Sequence, residues 1–158
     1  MPGAPFTLTC DSPDATDRVA RTLAQNLAPG DTILLSGDVG AGKTHFTRCA
    51  ILSLLDQPED VPSPTYTLVQ TYHAKPGEIW HADLYRLTDV TEIEELGLDA
   101  AFTDAICLIE WPDRLGPLTP AHALSITFTA PGPEDVRTLA FTWTDDKWTA
   151  KTESLHHV

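Results

Sequence analysis

Residues 37–44 read Gly37-Asp38-Val39-Gly40-Ala41-Gly42-Lys43-Thr44, the pattern G-x-x-x-x-G-K-[ST]. That pattern constrains the fold because it works only where a strand leads into it and a helix leads out. Both are written around it. Residues 32–36 are a short apolar run that reads as a buried strand, and residues 44–55 have helical spacing. Glycines reach φ > 0 and turn backbone N–H groups inward around a phosphate. The helix adds the positive end of its dipole to the same anion. Lys43 supplies a point charge toward the β- and γ-phosphates, and the Thr44 hydroxyl completes the coordination of Mg²⁺. We read residues 37–44 as a nucleotide triphosphate site rather than a glycine turn that happens to carry Lys-Thr.

A chain of 158 residues has room for one domain with a real core. At 42% hydrophobic and 21% charged residues it has the composition of an ordinary globular protein. No apolar run approaches a membrane span, and the first five residues lack the basic and apolar regions of a secretory signal. Cys10, Cys49 and Cys107 are odd in number, far apart and without metal-ligand spacing, so reduced thiols in a cytoplasm are expected. Net charge is −13, which repels phosphate backbones and argues against autonomous nucleic-acid binding. Solubility or a basic protein partner would each account for the acidity.

Periodicity divides the chain further. Phe6–Cys10 alternates like a strand, and Ser12-Pro13-Asp14 reads as a helix start with a capping hydroxyl and proline at the first position. Ala15, Val19, Leu23 and Leu27 continue that helix toward Pro29-Gly30. Residues 66–73 and 78–84 form one predicted hairpin and residues 124–130 and 137–144 a second. Residues 89–102 are helical in character with a break near Gly97, and residues 105–109 are a buried strand ending at Glu110. The fold class is therefore α/β: a single P-loop NTPase domain over residues 1–150, with a mixed, mostly parallel sheet, helices on both faces and two β-hairpins. Residues 151–158 are expected to be a polar tail, and the final dozen residues to be loosely held.

A P-loop needs a carboxylate for its metal and a group to position the attacking water. Glu110 closes one apolar strand and Asp83 stands near the end of another, where ligands of open α/β sheets bind. In Pro62-Ser63-Pro64-Thr65-Tyr66 two prolines stiffen a loop that presents Thr65, and a rigid connector is the reading the residues favour. His81 and Asp83 share a strand face, but two ligands make a poor zinc site, so His81 is read as a packing or hydrogen-bonding residue. Trp111-Pro112 stops the strand after Glu110 and lays an aromatic beside the site, with a core or surface role equally open for Trp111.

Taken together and in order, Gly37 to Thr44, Ser63-Pro-Thr-Tyr66, His81-Ala-Asp83-Leu-Tyr85-Arg86, Glu94-Glu95-Leu96-Gly97 and Ile109-Glu110-Trp111 resemble the TsaE family over about residues 6–130. Its members are small bacterial P-loop ATPases of tRNA threonylcarbamoyladenosine biosynthesis. The resemblance implies ATP with Mg²⁺, slow hydrolysis alone, and work with two partners, TsaB and TsaD, the latter carrying the transferase chemistry. It implies Thr44 and Glu110 on Mg²⁺, Lys43 on the phosphates, Asp83 near the γ-phosphate, Thr65 as a switch hydroxyl, the loop and first turn from Ser12 to Thr16 near the adenine and Trp111 beside the site. The acidic surface would then dock on a partner that handles tRNA.

Two other classes fit a P-loop of this size. A small-molecule or nucleoside kinase usually brings several arginines through a lid, whereas the six here, Arg18, Arg21, Arg48, Arg86, Arg114 and Arg137, form no cluster in sequence. A regulatory GTPase would use N-K-x-D to read guanine, and Asn26 is the sole asparagine.

Overall fold

A computed structural model describes residues 5–38, 40–57, 59–62, 68–87, 89–130, 132 and 136–157. Its elements in chain order are β1 (Phe6–Cys10), α1 (Pro13–Ala24), β2 (Thr32–Gly37), α2 (Lys43–Leu54), β3 (Val69–His73), β4 (Glu78–Asp83), α3 (Val90–Leu96), α4 (Leu98–Asp104), β5 (Ile106–Glu110), β6 (Leu124–Thr129), β7 (Arg137–Thr142) and α5 (Lys147–Lys151). Two 3-10 turns, Pro112–Leu118 and Glu153–His157, complete it.

The seven strands form one sheet in the order β1-β7-β6-β2-β5-β4-β3. β2 pairs in parallel with β5 and β6, and β4 in parallel with β5. The hairpins β3–β4 and β6–β7 are antiparallel, as is the edge pair β1–β7. Because β1 opposes β7 and β7 opposes β6, five strands (β1, β6, β2, β5 and β4) run the same way. The sheet is mixed and mostly parallel in direction, with both expected hairpins present.

Strand alternation feeds two cores. Ile33 and Leu35 of β2, with Ile106 and Leu108 of β5, face one core together with Val19, Leu23, Phe46 and Ile51 of α1 and α2. Leu34, Cys107 and Ile109 face the other, against Ile93, Leu98, Phe102 and Leu115. Central parallel strands must be covered on both faces, which is why their sequences are continuously apolar. The helix ends follow local chemistry. The Ser12 side chain accepts from the Ala15 N–H at 3.1 Å and Pro13 opens α1. Asp89 and Glu92 form a reciprocal capping box on α3, and Gly97 at φ 83° ends it where a side chain would be strained.

The chain end differs from expectation. Trp148 and Leu155 are completely buried and Thr152 nearly so, on one helical face against the first core. The Trp148 indole N–H donates to the His122 carbonyl, and Lys147 and Lys151 both pair with buried Asp31. Residues 147–155, which fall in the final dozen, are thus packed and not loosely held. Cys10 and Cys107 are buried, and all three cysteines are free. Among the described residues, no helix is long and apolar enough to cross a membrane.

Candidate nucleotide-binding site

Three adjacent parallel strands end together: β2 at Gly37, β5 at Glu110 and β4 at Asp83. β4 follows β2 in the chain but lies two places away, with β5 inserted between them. The P-loop therefore opens beside both predicted carboxylates, at the carboxyl edge where α/β sheets hold ligands.

The loop glycines have specific work. A Cβ on Gly37, at φ 141°, would stand 2.5 Å from the Phe128 carbonyl oxygen. Gly42, at φ 104°, is the residue before α2 and has no side chain with which to cap it. The first-turn N–H groups of α2 are then directed at the loop's interior, where an anion satisfies them and meets the helix dipole. Asp38 accepts the Ala41 N–H through its backbone carbonyl and is itself exposed, whereas Ala41 is buried.

A cleft of about 530 Å³ is lined by Gly40, Gly42, Lys43, Thr44, His45, Asp83, Tyr85, Glu110, Trp111 and Arg137. Lys43 is only 4% exposed. Its ammonium donates to the Gly37 carbonyl and sits 3.6 Å from the centroid of the Trp111 ring. Burial pushes that ammonium below the ordinary lysine range, against the pull of Glu110, Asp83, Asp38 and Asp113. Thr44 donates from Oγ1 to Glu110 Oε1 at 2.8 Å, and Glu110 Oε2 accepts from His81 Nε2 at 2.7 Å. Asp83 is Cα-paired with Glu110 on the neighbouring strand and accepts the Tyr85 N–H at 3.0 Å. Burial raises the Asp83 pKa, and the nearby Glu110 charge adds to the rise.

Trp111 leaves β5 in the left-handed region, at φ 59° and ψ 54°. A bulky residue pays for that conformation with strain on the order of 1–2 kcal/mol. The turn swings its indole over the cleft, against Tyr85 at 4.8 Å between centroids. Hence the aromatic lies beside the site, and His81 is a hydrogen-bonding residue, as the sequence suggests.

Around the N-terminal side of α2, a smaller cleft of about 160 Å³ is lined by Pro13, Thr16, Gly42, His45 and Arg137. Of residues 12–16, Pro13 and Thr16 line the smaller cleft, whereas Ser12 lines neither, its hydroxyl being engaged in capping α1. Val39 and Thr65 lie outside the described residues. Sequence reasoning gave no role to Arg137, which reaches the site because β7 lies beside β6 and β6 beside β2. Its stem runs along Gly42, and one guanidinium nitrogen lies 3.5 Å from the Gly40 carbonyl oxygen. Tyr85 and His45 were likewise unassigned. Tyr85 stands two residues beyond Asp83 and His45 one beyond Thr44, so proximity to the motifs was the available signal.

Comparison with known proteins decides the family. A family model described as threonylcarbamoyl adenosine biosynthesis protein TsaE matches residues 10–139. The chain belongs to the TsaE family. The TsaE of Rickettsia conorii is 40% identical over 122 residues, covering 77% of this chain and 70% of that one. The TsaE of Bacillus subtilis is 34% identical over 145 residues, covering 91% and 89%. Both are named as tRNA threonylcarbamoyladenosine biosynthesis proteins. The crystal structure of Bacillus subtilis YdiB superposes with a TM-score of 0.80 at 27% identity, over 98% of this chain and 95% of that one. The TsaE match takes in residues 37–44, Asp83 and Glu110 together, so the motif residues fall inside the shared domain.

Proposed function

We propose that this protein is a Mg²⁺-dependent ATPase that serves tRNA threonylcarbamoyladenosine biosynthesis as an accessory, acting with TsaB and TsaD homologues and leaving the transfer itself to TsaD. The observation that carries the ATPase reading is the 2.8 Å contact between the Thr44 hydroxyl and the Glu110 carboxylate at the mouth of the P-loop. The tRNA role rests on the names of the relatives.

The donor set fits the metal. A hydroxyl and a carboxylate are hard oxygen ligands, and a site supplying only two of them suits Mg²⁺, which keeps water and phosphate oxygens for its other positions. Thr44 and Glu110 would hold it, and when bound it neutralises charge on the β- and γ-phosphate oxygens. The P-loop backbone and the start of α2 bind the phosphates, and Lys43 exchanges the Gly37 carbonyl and the Trp111 face for phosphate oxygens. Asp83 orients or deprotonates the attacking water; its raised pKa moves it toward the range useful to a base. Trp111 covers the phosphate end. The small cleft by Pro13, Thr16, His45 and Arg137 is the place for the base, next to the first turn of α1. Thr65 would supply a switch hydroxyl.

The test is ATP hydrolysis by the chain alone and after adding TsaB and TsaD from the same organism, with Lys43→Ala as control. Stimulation by the partners that vanishes in the variant supports both the ATPase and its place in the complex. Absence of stimulation, with a phosphorylated small molecule as product, would turn the assignment toward a kinase.

A further inference from the structure

The two oxygens of Glu110 have different partners: Thr44 reaches Oε1 and His81 reaches Oε2. We infer that His81 is a positioning residue, whose imidazole fixes the Glu110 carboxylate in the orientation that offers an oxygen to the metal beside Thr44. This rests on the Mg²⁺–nucleotide reading above.

His81 and Glu110 sit on neighbouring parallel strands, β4 and β5, with His81 Cα-paired to Leu108 and Asp83 to Glu110. The imidazole is completely buried and the carboxylate is 2% exposed. An ionised carboxylate only accepts hydrogen bonds, so the nitrogen facing Oε2 must carry a proton, which sets Nε2–H as donor. The other ring nitrogen, Nδ1, has no hydrogen-bond partner among the described residues. A histidine retained for packing would have both nitrogens satisfied or would be replaced by an apolar side chain at less cost. This one spends its single hydrogen bond on Glu110. Side chains that hydrogen-bond a ligating carboxylate orient it and tune its metal affinity, and their removal typically weakens metal binding by about 10- to 100-fold.

Geometry also selects the variants. Glutamine places its amide nitrogen near the position of Nε2, whereas asparagine places its own near Nδ1 and falls short of Oε2. His81→Gln, His81→Asn and His81→Leu are therefore compared with wild type by titrating a fluorescent ATP analogue in EDTA and across a range of Mg²⁺ concentrations. In EDTA all folded variants should bind within about threefold of wild type. The Mg²⁺ concentration giving half of the metal-dependent tightening should rise about tenfold or more in His81→Leu and His81→Asn, and His81→Gln should restore it to within about threefold. If His81→Leu does not fold, as judged by circular dichroism, His81→Asn against His81→Gln makes the same comparison.

Equal loss with and without Mg²⁺ would make His81 a structural residue and overturn the inference. So would unchanged half-saturation in His81→Asn and His81→Leu, with the Mg²⁺–nucleotide reading left intact. Wild type showing no Mg²⁺-dependent tightening at all would remove that reading itself, and the inference with it.

Discussion

The Lys43 ammonium lies 3.6 Å from the centroid of the Trp111 ring while donating to the Gly37 carbonyl, so the P-loop lysine is held within its own loop. Both partners are uncharged, and the surrounding carboxylates pull the ammonium without touching it. A phosphate offers a stronger, charge-assisted partner, and that difference is what a nucleotide gains by drawing Lys43 away. Hydrogen bonds to charged groups contribute about 1.5–3 kcal/mol. Lys43→Ala should therefore weaken ATP binding by about 10- to 150-fold in an equilibrium titration. Affinity unchanged within about twofold would take Lys43 off the phosphates.

Asp83 carries a different prediction, because the role proposed for it is on rate and not on affinity. Asp83→Asn should keep nucleotide affinity within about threefold and lower hydrolysis by about 10²- to 10⁴-fold, the range for losing a positioned acid–base group. Equal turnover in variant and wild type removes the role assigned to Asp83. The same substitution should raise the thermal midpoint of the free chain at neutral pH. Burial lifts the Asp83 pKa in the folded chain above its unfolded value, so the ionised form counts against folding, and that cost fades as pH falls through the raised pKa.

Glu110 is the one carboxylate in contact with the Thr44 hydroxyl among the described residues. In Glu110→Ala the Mg²⁺ concentration needed for half-maximal hydrolysis should rise at least about tenfold. An unchanged Mg²⁺ requirement would place Glu110 outside the metal shell.

How much of this was readable in the sequence depended on the range of the interactions involved. The P-loop, the Ser12 cap, the Gly97 break and both hairpins are set by residues a few positions apart, and the sequence announces them. Glu110 and Asp83 were legible because each closes an apolar strand, and strand ends in parallel sheets converge on one edge. Arg137 was not legible. It enters the cleft only because β7 pairs beside β6, a relation between segments nearly a hundred residues from the loop. The His81 bond to Glu110 is of the same kind, spanning 29 residues across two strands. At the chain end, Trp148, Thr152 and Leu155 do recur at helical spacing. The surrounding polar residues and the change from α5 to a 3-10 turn hid that face.

Asp31 ties this end to the start of β2. Burial raises its pKa, but the hydrogen bonds from Lys151 and Lys147 and from the Ala28 N–H outweigh it and hold the carboxyl below the usual range. A folded-state pKa lowered in this way stabilises fully above the unfolded value of about 3.9 and is lost as pH falls through the folded one. Asp31→Asn should be less stable than wild type at pH 7, and the gap between their urea midpoints should narrow below about pH 4. A gap that stays constant from pH 7 to pH 3 would show that the carboxylate's charge contributes nothing.

Trp148 tests whether the last segment belongs to the folded unit. Its side chain is completely buried in the first core, and its indole N–H donates to the His122 carbonyl at 2.7 Å. Truncation removes a large apolar surface and leaves that part-buried carbonyl without its indole partner. Trp148→Ala should cost about 3–5 kcal/mol in urea unfolding followed by circular dichroism. Because the residue is far from the cleft, ATP affinity below the unfolding transition should stay within about twofold of wild type. A loss under about 1 kcal/mol would mean that the segment docks only weakly, as the polarity of its sequence suggests, and that the cores beneath it are complete without it.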